Sequence, residues 1–187
     1  FSDAGTATAL EYSEDHNIHF NLQTDGKEYD DIIIPEGGYR NRFTARSLEM
    51  VEYEKGIKRS GLDMKLDGVK IFNFALREIA PNINALLDEN NIAISSVNYF
   101  VFHQANLLML ESVRKKLKVE AERVPYSLHD FGNTSSATVP LTLVTNLRKE
   151  LILKKINLVL SGFGVGLSWG SAYLETENIV CPELIEV

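Results

Sequence analysis

The sequence predicts an α/β domain in which helices cover a mixed β-sheet. Residues 16–22 alternate apolar and polar side chains, which is the period of a half-buried strand. Residues 67–87 repeat apolar side chains at steps of three and four, as an amphipathic helix does. Residues 97–102 form a short apolar run that ends at once in polar residues, which indicates a buried strand. The 187 residues suit a single domain, since domains average roughly 150 residues.

The composition is that of a soluble globular protein, with 44% apolar and 24% charged residues. A net charge of −7 argues against a broad nucleic-acid-binding surface, because phosphate binding needs clustered positive charge. The apolar runs, such as Ile156 to Leu160, are too short to cross a bilayer, so no membrane contact is expected. A single cysteine excludes an internal disulfide and favours a cytoplasmic location. Because the chain opens at Phe1 without a methionine, we expect it to be part of a longer protein.

Two strands are predicted near the N-terminus. Small and apolar residues dominate from Gly5 to Tyr12, and the alternating segment from His16 to Leu22 follows. Residues 29–61 mix glycine, proline and charged residues without a clean period, which predicts an insertion or covering loop. Within this loop, residues 44–53 could form a short helix.

The middle of the chain predicts a helix, a strand and a second helix. Asp67 is placed to cap the first helix, and Pro81 is predicted to kink it. The strand from Val97 to Phe102 leads directly into His103, and a second helical pattern follows. His103 therefore falls at the carboxyl end of a strand, where open α/β sheets bind their ligands.

A loop and a helix are predicted in the next part of the chain. A strand is expected from Val124 to Leu128, and a turn follows from Gly132 to Ser136. Asn133 lies in this turn, which leads into a helix that carries Val144, Leu147 and Leu151.

The chain is predicted to end in a β-hairpin. Ile156 to Leu160 and Leu167 to Glu175 are expected as strands, joined by a tight turn from Gly162 to Gly166. The simplest explanation of these glycines is structural, because glycine supplies the positive φ angles that hairpin turns require.

Three sequence blocks together resemble those of a known enzyme family. The blocks are Phe102-His103-Gln104-Ala105-Asn106, Phe131-Gly132-Asn133-Thr134-Ser135, and the run from Gly162 to Gly166 followed by Ser168-Trp169-Gly170-Ser171. Their order and spacing resemble the C-terminal half of the type III β-ketoacyl-acyl carrier protein synthases, of the thiolase-like superfamily. The resemblance starts at Asp3-Ala4-Gly5 and covers nearly the whole chain apart from residues 29–61.

The resemblance implies a layered, thiolase-like fold of two similar halves, with residues 1–187 as the C-terminal domain. In that family, a cysteine takes an acyl group from an acyl thioester, and decarboxylated malonyl-acyl carrier protein then attacks it. The resemblance implies a Cys-His-Asn catalytic set in which His103 and Asn133 are two members. The cysteine would lie in the N-terminal half, so the isolated chain is expected to be inactive. Fatty acid biosynthesis is the implied pathway, and the full-length protein is expected to be a homodimer.

His103 and Asn133 fit the chemistry of decarboxylation. Loss of carbon dioxide leaves an enolate, whose oxygen needs fixed hydrogen-bond donors in a dry pocket. Asn133 cannot titrate but can donate steadily from its amide, and a neutral imidazole N–H would be a second donor. We therefore expect an enolate-binding pair. Taken singly, each residue has a plainer explanation, as a polar residue after a strand and as a turn residue.

The glycine turn separates related chemistries. The resemblance implies that the backbone N–H of Val165 is an oxyanion donor, although many family members have glycine at this position. A thiolase would carry a second catalytic cysteine in this turn, and none is present. Plant-type polyketide synthases usually follow the histidine with proline or glycine rather than Gln104. Both comparisons favour a decarboxylating ketosynthase.

The residues after His103 are the expected contact for the carrier protein or its pantetheine arm. By resemblance, these residues are Gln104, Ala105, Asn106, Leu107 and Leu108. The helix that follows presents Arg114, Lys115 and Lys118, which suit an acidic partner. The alternative is a solvated face in which Glu111 pairs with Lys115. The expected partners are acyl carrier protein and an acyl-CoA or other acyl-thioester substrate.

No metal or tightly bound cofactor is predicted, because His16, His19 and His129 have no metal-ligand spacing. Cys181 lies beyond the last predicted strand, next to Pro182, and is expected to be an inert thiol. Two alternatives remain open at this point. One is a ketosynthase-like enzyme of specialised lipid or polyketide metabolism. The other is a non-catalytic assembly half that pairs with a separate partner.

Overall fold

The structure is a computed structural model that describes residues 1–185, apart from the side chain of Glu54. Two compact units are present. The first contains residues 1–23, 74–163 and those from 169 onward, and the second contains residues 24–73 and 164–168.

A four-stranded mixed sheet dominates the first unit, with the strand order β1-β8-β7-β6. Its strands are β1 (Ile18–Thr24), β6 (Tyr99–Phe102), β7 (Ile156–Gly164) and β8 (Ser168–Thr176). Strands β6 and β7 are parallel, with Phe102 opposite Ser161. A three-residue turn then reverses the chain between β7 and β8. The mixed sheet predicted from the sequence is confirmed.

Five α-helices accompany the sheet in the described chain: α1 (Gly68–Glu89), α2 (Leu107–Leu117), α3 (Leu128–Phe131), α4 (Thr138–Asn146) and α5 (Arg148–Leu153). The predicted cap of α1 is confirmed, since Oδ1 of Asp67 accepts the Lys70 N–H at 3.0 Å. The helix continues through Pro81 to Glu89 without a break. Its inward face, including Phe74 and Ile83, is almost fully buried.

Two predicted strands are wrong. Residues 5–12 are irregular and exposed, because small side chains bury little apolar area and no neighbouring strand pairs with them in the described chain. Residues 124–127 are also irregular, and α3 begins at Leu128. Pro125 has no N–H for a sheet ladder, and the N–H of Ser127 donates to Oε1 of Gln104 at 3.2 Å instead.

The helix predicted to carry Leu147 is divided into α4 and α5. Leu147 separates them with φ −118° and ψ 5°, which lies outside the helical range. Its side chain is buried in a cluster with Val101, Leu151 and Leu158. We infer that packing in this cluster outweighs the continuity of the helix.

The hairpin also differs from the prediction in detail. Strand β7 extends through Gly164, so the predicted turn from Gly162 to Gly166 shortens to Val165–Leu167. Gly166 has φ +142°, and a Cβ there would lie 2.7 Å from the Ser168 nitrogen. Only glycine fits this position without strain.

The second unit is built from short elements. Strands β2 (Ile32–Ile33) and β5 (Lys65–Leu66) pair antiparallel, as do β3 (Val51–Glu54) and β4 (Ile57–Arg59). The helix predicted within residues 44–53 is reduced to a 3₁₀ turn at Ala45–Leu48. No helix in residues 1–185 is long and apolar enough to cross a membrane.

Candidate functional site

His103 lies directly after β6, as the sequence predicted. Its backbone N–H donates to the carbonyl of Ser161 on β7 at 2.8 Å, which extends the parallel ladder by one residue. The imidazole packs edge-on against the ring of Phe163, with centroids 5.4 Å apart and an interplanar angle of 81°. Backbone and ring are therefore both held in place.

The environment of the His103 imidazole favours its neutral form. Burial lowers the pKa of His103 below its ordinary value, because a low-dielectric surrounding disfavours the cation. A hydrogen bond to the Ser135 backbone acts in the opposite direction but does not cancel this effect. The ring is therefore neutral at neutral pH.

Asn133 lies in the loop between α3 and α4, next to a glycine with a special conformation. Gly132 has φ +63° and ψ −153°, a region that is essentially open to glycine alone. The N–H of Ser2 donates to the carbonyl of Asn133 at 3.0 Å and holds the loop from the other side. Oδ1 of Asn133 accepts the N–H of Ser135 at 2.9 Å. This bond identifies which atom of the amide is the oxygen. The NH₂ group is therefore directed away from Ser135, where it can act as a donor.

A chain of hydrogen bonds connects His103 to Asn133. Nδ1 of His103 lies 2.7 Å from Oγ1 of Thr138, and this hydroxyl donates to the Ser135 carbonyl at 2.8 Å. The Ser135 N–H then reaches Asn133. The structure thus brings together the two residues that sequence reasoning selected, and it adds Thr138 and Phe163, which that reasoning missed. Thr138 could have been noticed as a hydroxyl residue at the start of the helix that follows Asn133.

Val165 belongs to the second unit, where it opens the turn between β7 and β8. Its side chain is 66% exposed. No observation tests the oxyanion role of its backbone N–H, which stays a prediction.

Gln104 is not available for the predicted carrier contact through its side chain. It is fully buried, its Nε2 donates to the Phe102 carbonyl at 2.8 Å, and its Oε1 accepts from Ser127. A buried amide needs such partners, so its role is to join the end of β6 to residue 127. The carrier contact expected of Gln104 stays a prediction, which its buried side chain does not serve.

The other four residues of the predicted carrier contact differ in exposure. Asn106 caps α2, since its Oδ1 accepts the Met109 N–H at 2.9 Å. Ala105 is partly buried. Leu107 and Leu108 are 36% and 69% exposed, so they form the apolar surface at the start of α2.

The basic face predicted on α2 is smaller than expected. Arg114 is mostly buried, and it contacts Glu111 at 2.7 Å and the Val119 carbonyl at 2.8 Å. Glu111 therefore pairs with Arg114 rather than with Lys115. The hydrogen bonds from Arg114 and then from the Tyr126 hydroxyl lower the pKa of Glu111 to about 2. On this face, Lys115 and Lys118 remain exposed.

Residues 1–185 contain no group of three His, Cys, Asp or Glu side chains placed to hold a metal ion. Cys181 is buried, and burial raises the pKa of its thiol against the opposing charge of Arg148. A buried thiol of raised pKa is a poor nucleophile.

Comparison with known proteins identifies the family. Residues 87–176, which contain His103 and Asn133, match the family described as 3-oxoacyl-[acyl-carrier-protein (ACP)] synthase III C terminal. The β-ketoacyl-[acyl-carrier-protein] synthase III of Prochlorococcus marinus subsp. pastoris is 31% identical over 177 residues, which are 93% of this chain and 50% of that protein. The chain belongs to the β-ketoacyl-acyl carrier protein synthase III family, as a C-terminal half. It spans about half the length of the curated synthase III relatives it matches.

Solved synthase III structures share the fold. A crystal structure of 3-oxoacyl-(acyl-carrier-protein) synthase III has a TM-score of 0.80 and 30% identity, over 91% of this chain and 50% of that one. The synthase from Burkholderia xenovorans LB400 has a TM-score of 0.76 and 36% identity, over 87% and 45%. The predicted α/β, thiolase-like fold class of a synthase III C-terminal half is confirmed.

Proposed function

We propose that the protein containing this chain is a decarboxylating condensing enzyme of fatty acid biosynthesis. It would join an acyl thioester to malonyl-acyl carrier protein. The single observation that carries this proposal is the hydrogen-bond chain that links His103, directly after β6, to Asn133. The match of residues 87–176 to the synthase III family supports it.

The proposed chemistry requires a stabilised enolate. Asn133 is suited to donate to the enolate oxygen, because its amide oxygen is occupied by the Ser135 N–H and its NH₂ group is directed elsewhere. A neutral His103 beside it adds a polar group without a buried charge. The backbone N–H of Val165 is proposed as a separate oxyanion donor.

The nucleophile of the proposed reaction is a cysteine supplied by residues outside these 187. The buried Cys181, with its raised pKa, does not fit that role. Acyl carrier protein and an acyl-CoA or other acyl thioester are the proposed partners. The exposed Asn106, Leu107 and Leu108 form the part of the proposed carrier contact that a partner can reach. A cytoplasmic homodimer is the proposed working form.

Alanine substitution tests the proposal in the full-length protein. Asn133→Ala and His103→Ala are each expected to lower the rate of malonyl decarboxylation by on the order of 10², the typical effect of removing a fixed donor or an acid–base group. The measurement is carbon dioxide release from malonyl-acyl carrier protein. His129→Ala is the matched control, because this exposed histidine lies just before the same loop. A folded Asn133→Ala variant with unchanged decarboxylation would contradict the proposal.

A further inference from the structure

We propose that Thr138 is a positioning residue that fixes the ring proton of His103 on Nδ1 and couples His103 to Asn133 through the Ser135 backbone. This inference deepens the proposed function and rests on it for its catalytic meaning. It depends on three bonds within the first unit: His103 to Thr138, Thr138 to Ser135, and Ser135 to Asn133.

The position of the proton follows from counting donors. A threonine hydroxyl has one proton, and a backbone carbonyl can only accept. The Ser135 carbonyl lies 2.8 Å from Oγ1 of Thr138, so the hydroxyl proton is directed there. Nδ1 of His103 lies 2.7 Å from the same oxygen and must supply the proton of that second bond. The opposite arrangement would set two oxygen lone pairs against each other at 2.8 Å in a buried place.

The surroundings of Thr138 keep this arrangement in place. Thr138 begins α4 and is only 1% exposed, so water does not compete for its hydroxyl. Its β-branched side chain has few rotamers in a helix, and one of them directs Oγ1 to the carbonyl three residues earlier. The adjacent backbone is also specific, because Ser135 has φ +56°, a left-handed conformation. The Thr138 hydroxyl binds the carbonyl of Ser135, and the Asn133 side chain binds its N–H.

The consequence is a division of roles between the two candidate catalytic residues. With its proton on Nδ1, neutral His103 presents the lone pair of Nε2 at its other edge. Asn133 presents an NH₂ group. The pair therefore offers substrate one acceptor and one donor, rather than the two donors that the sequence suggested. His103 becomes a donor at Nε2 only after that nitrogen takes up a proton.

Nuclear magnetic resonance tests the proton assignment without reference to activity. In the full-length protein labelled with ¹⁵N-histidine, the neutral His103 ring should show a pyrrole-like Nδ1 and a pyridine-like Nε2. Thr138→Val, which removes the hydroxyl at nearly constant volume, should populate the Nε2–H form. Thr138→Ser should restore the wild-type spectrum. A wild-type ring protonated on Nε2 would overturn the inference.

Kinetics of malonyl decarboxylation test the positioning role. Thr138→Val should lower kcat by about 10- to 100-fold with KM unchanged, since misplacement of a reacting group has effects of this size. Thr138→Ser should recover most of the rate. Thr145→Val is the matched control, because the Thr145 hydroxyl donates to the Leu141 carbonyl in the same helix and does not contact His103. Unchanged tautomer and kcat in Thr138→Val would overturn the inference.

Two further outcomes have defined meanings. If Thr138→Val does not fold, Thr138→Ala takes its place, and the wild-type spectrum still decides the proton assignment. If the spectrum shows Nδ1–H but wild-type protein releases no carbon dioxide from malonyl-acyl carrier protein, the proposed function falls and the Thr138 assignment stands.

Discussion

At the scale of single residues, neighbours in the sequence differed greatly in how well they could be predicted. The place of His103 follows from local pattern alone, because an apolar strand ends directly before it. The burial of Gln104 does not follow from local pattern, because its Oε1 accepts a hydrogen bond from the N–H of Ser127, 23 residues later. Thr138 was missed for the same reason, because its contact with His103 joins residues 35 apart.

Gly132 provides a test at this scale. Gly132→Ala should lower the free energy of unfolding by about 1–3 kcal/mol, because alanine is strained at φ +63° and ψ −153°. The proposed decarboxylation should also fall, since the same loop carries Asn133. The measurement is urea denaturation alongside carbon dioxide release. Gly38→Ala is the control, because a Cβ there meets no atom within 4 Å. Equal stability of the two variants would refute the strain argument.

Cys181 provides a second test. In the full-length protein incubated with acyl-CoA, the peptide containing Cys181 should carry no acyl group, because the thiol is buried and its pKa is raised. Peptide mass spectrometry measures this directly. Alkylation of the same cysteine after denaturation is the positive control. Stoichiometric acylation of Cys181 in the native protein would contradict its assignment as inert.

At the scale of elements, the predictions failed where an element depends on a distant partner. The helices α1 and α2 follow from their own periodicity and caps. A strand at residues 5–12 would need a neighbour that the local sequence cannot specify. Residues 124–127 are held by side chains instead of a ladder: Tyr126 donates to Glu111 on α2 at 2.7 Å.

The contact of Glu111 with Arg114 and Tyr126 predicts an acid-sensitive stability. Its pKa is lowered from 4.5 to about 2, so its contribution is complete above pH 4.5 and is lost as the pH falls toward 2. Glu111→Gln should cost about 1–2 kcal/mol near neutral pH, discounted for the partial exposure of this side chain. The difference from wild type should shrink between pH 4.5 and 2. Urea denaturation at several pH values measures it, with exposed Glu122→Gln as control. A pH-independent difference would contradict the ionic explanation.

At the scale of the whole molecule, family and fold class could be predicted, because several motifs occur along the chain in a characteristic order and spacing. Its division into two units could not. Neither could the exposure of apolar side chains on the sheet of the first unit. Phe20 and Leu22 of β1 are 61% and 74% exposed. They border a cleft of about 330 Å³ that Val139 and Leu160 also line.

This surface predicts the behaviour of the 187-residue chain when it is produced alone. An exposed apolar patch favours self-association and the binding of apolar dyes. The double variant Phe20→Ser, Leu22→Ser should therefore bind less dye and sediment closer to the monomer mass. Tyr12→Ser is the control, because Tyr12 is also highly exposed but does not line the cleft. Equal dye binding by both variants would show that the residues of the cleft are not responsible for dye binding and self-association.

The conformation of Gly132 also limits which substitutions this sequence can accept during evolution. A glycine codon reaches alanine, serine, cysteine, valine, aspartate, glutamate, arginine or tryptophan by a single base change, and each of these introduces a Cβ. Even aspartate and asparagine, which tolerate left-handed backbone elsewhere, are ill suited to this glycine-only region. Descendants of this chain that keep the Asn133 loop should therefore keep glycine at position 132. A lineage that loses the glycine is expected to have lost the loop's chemistry as well.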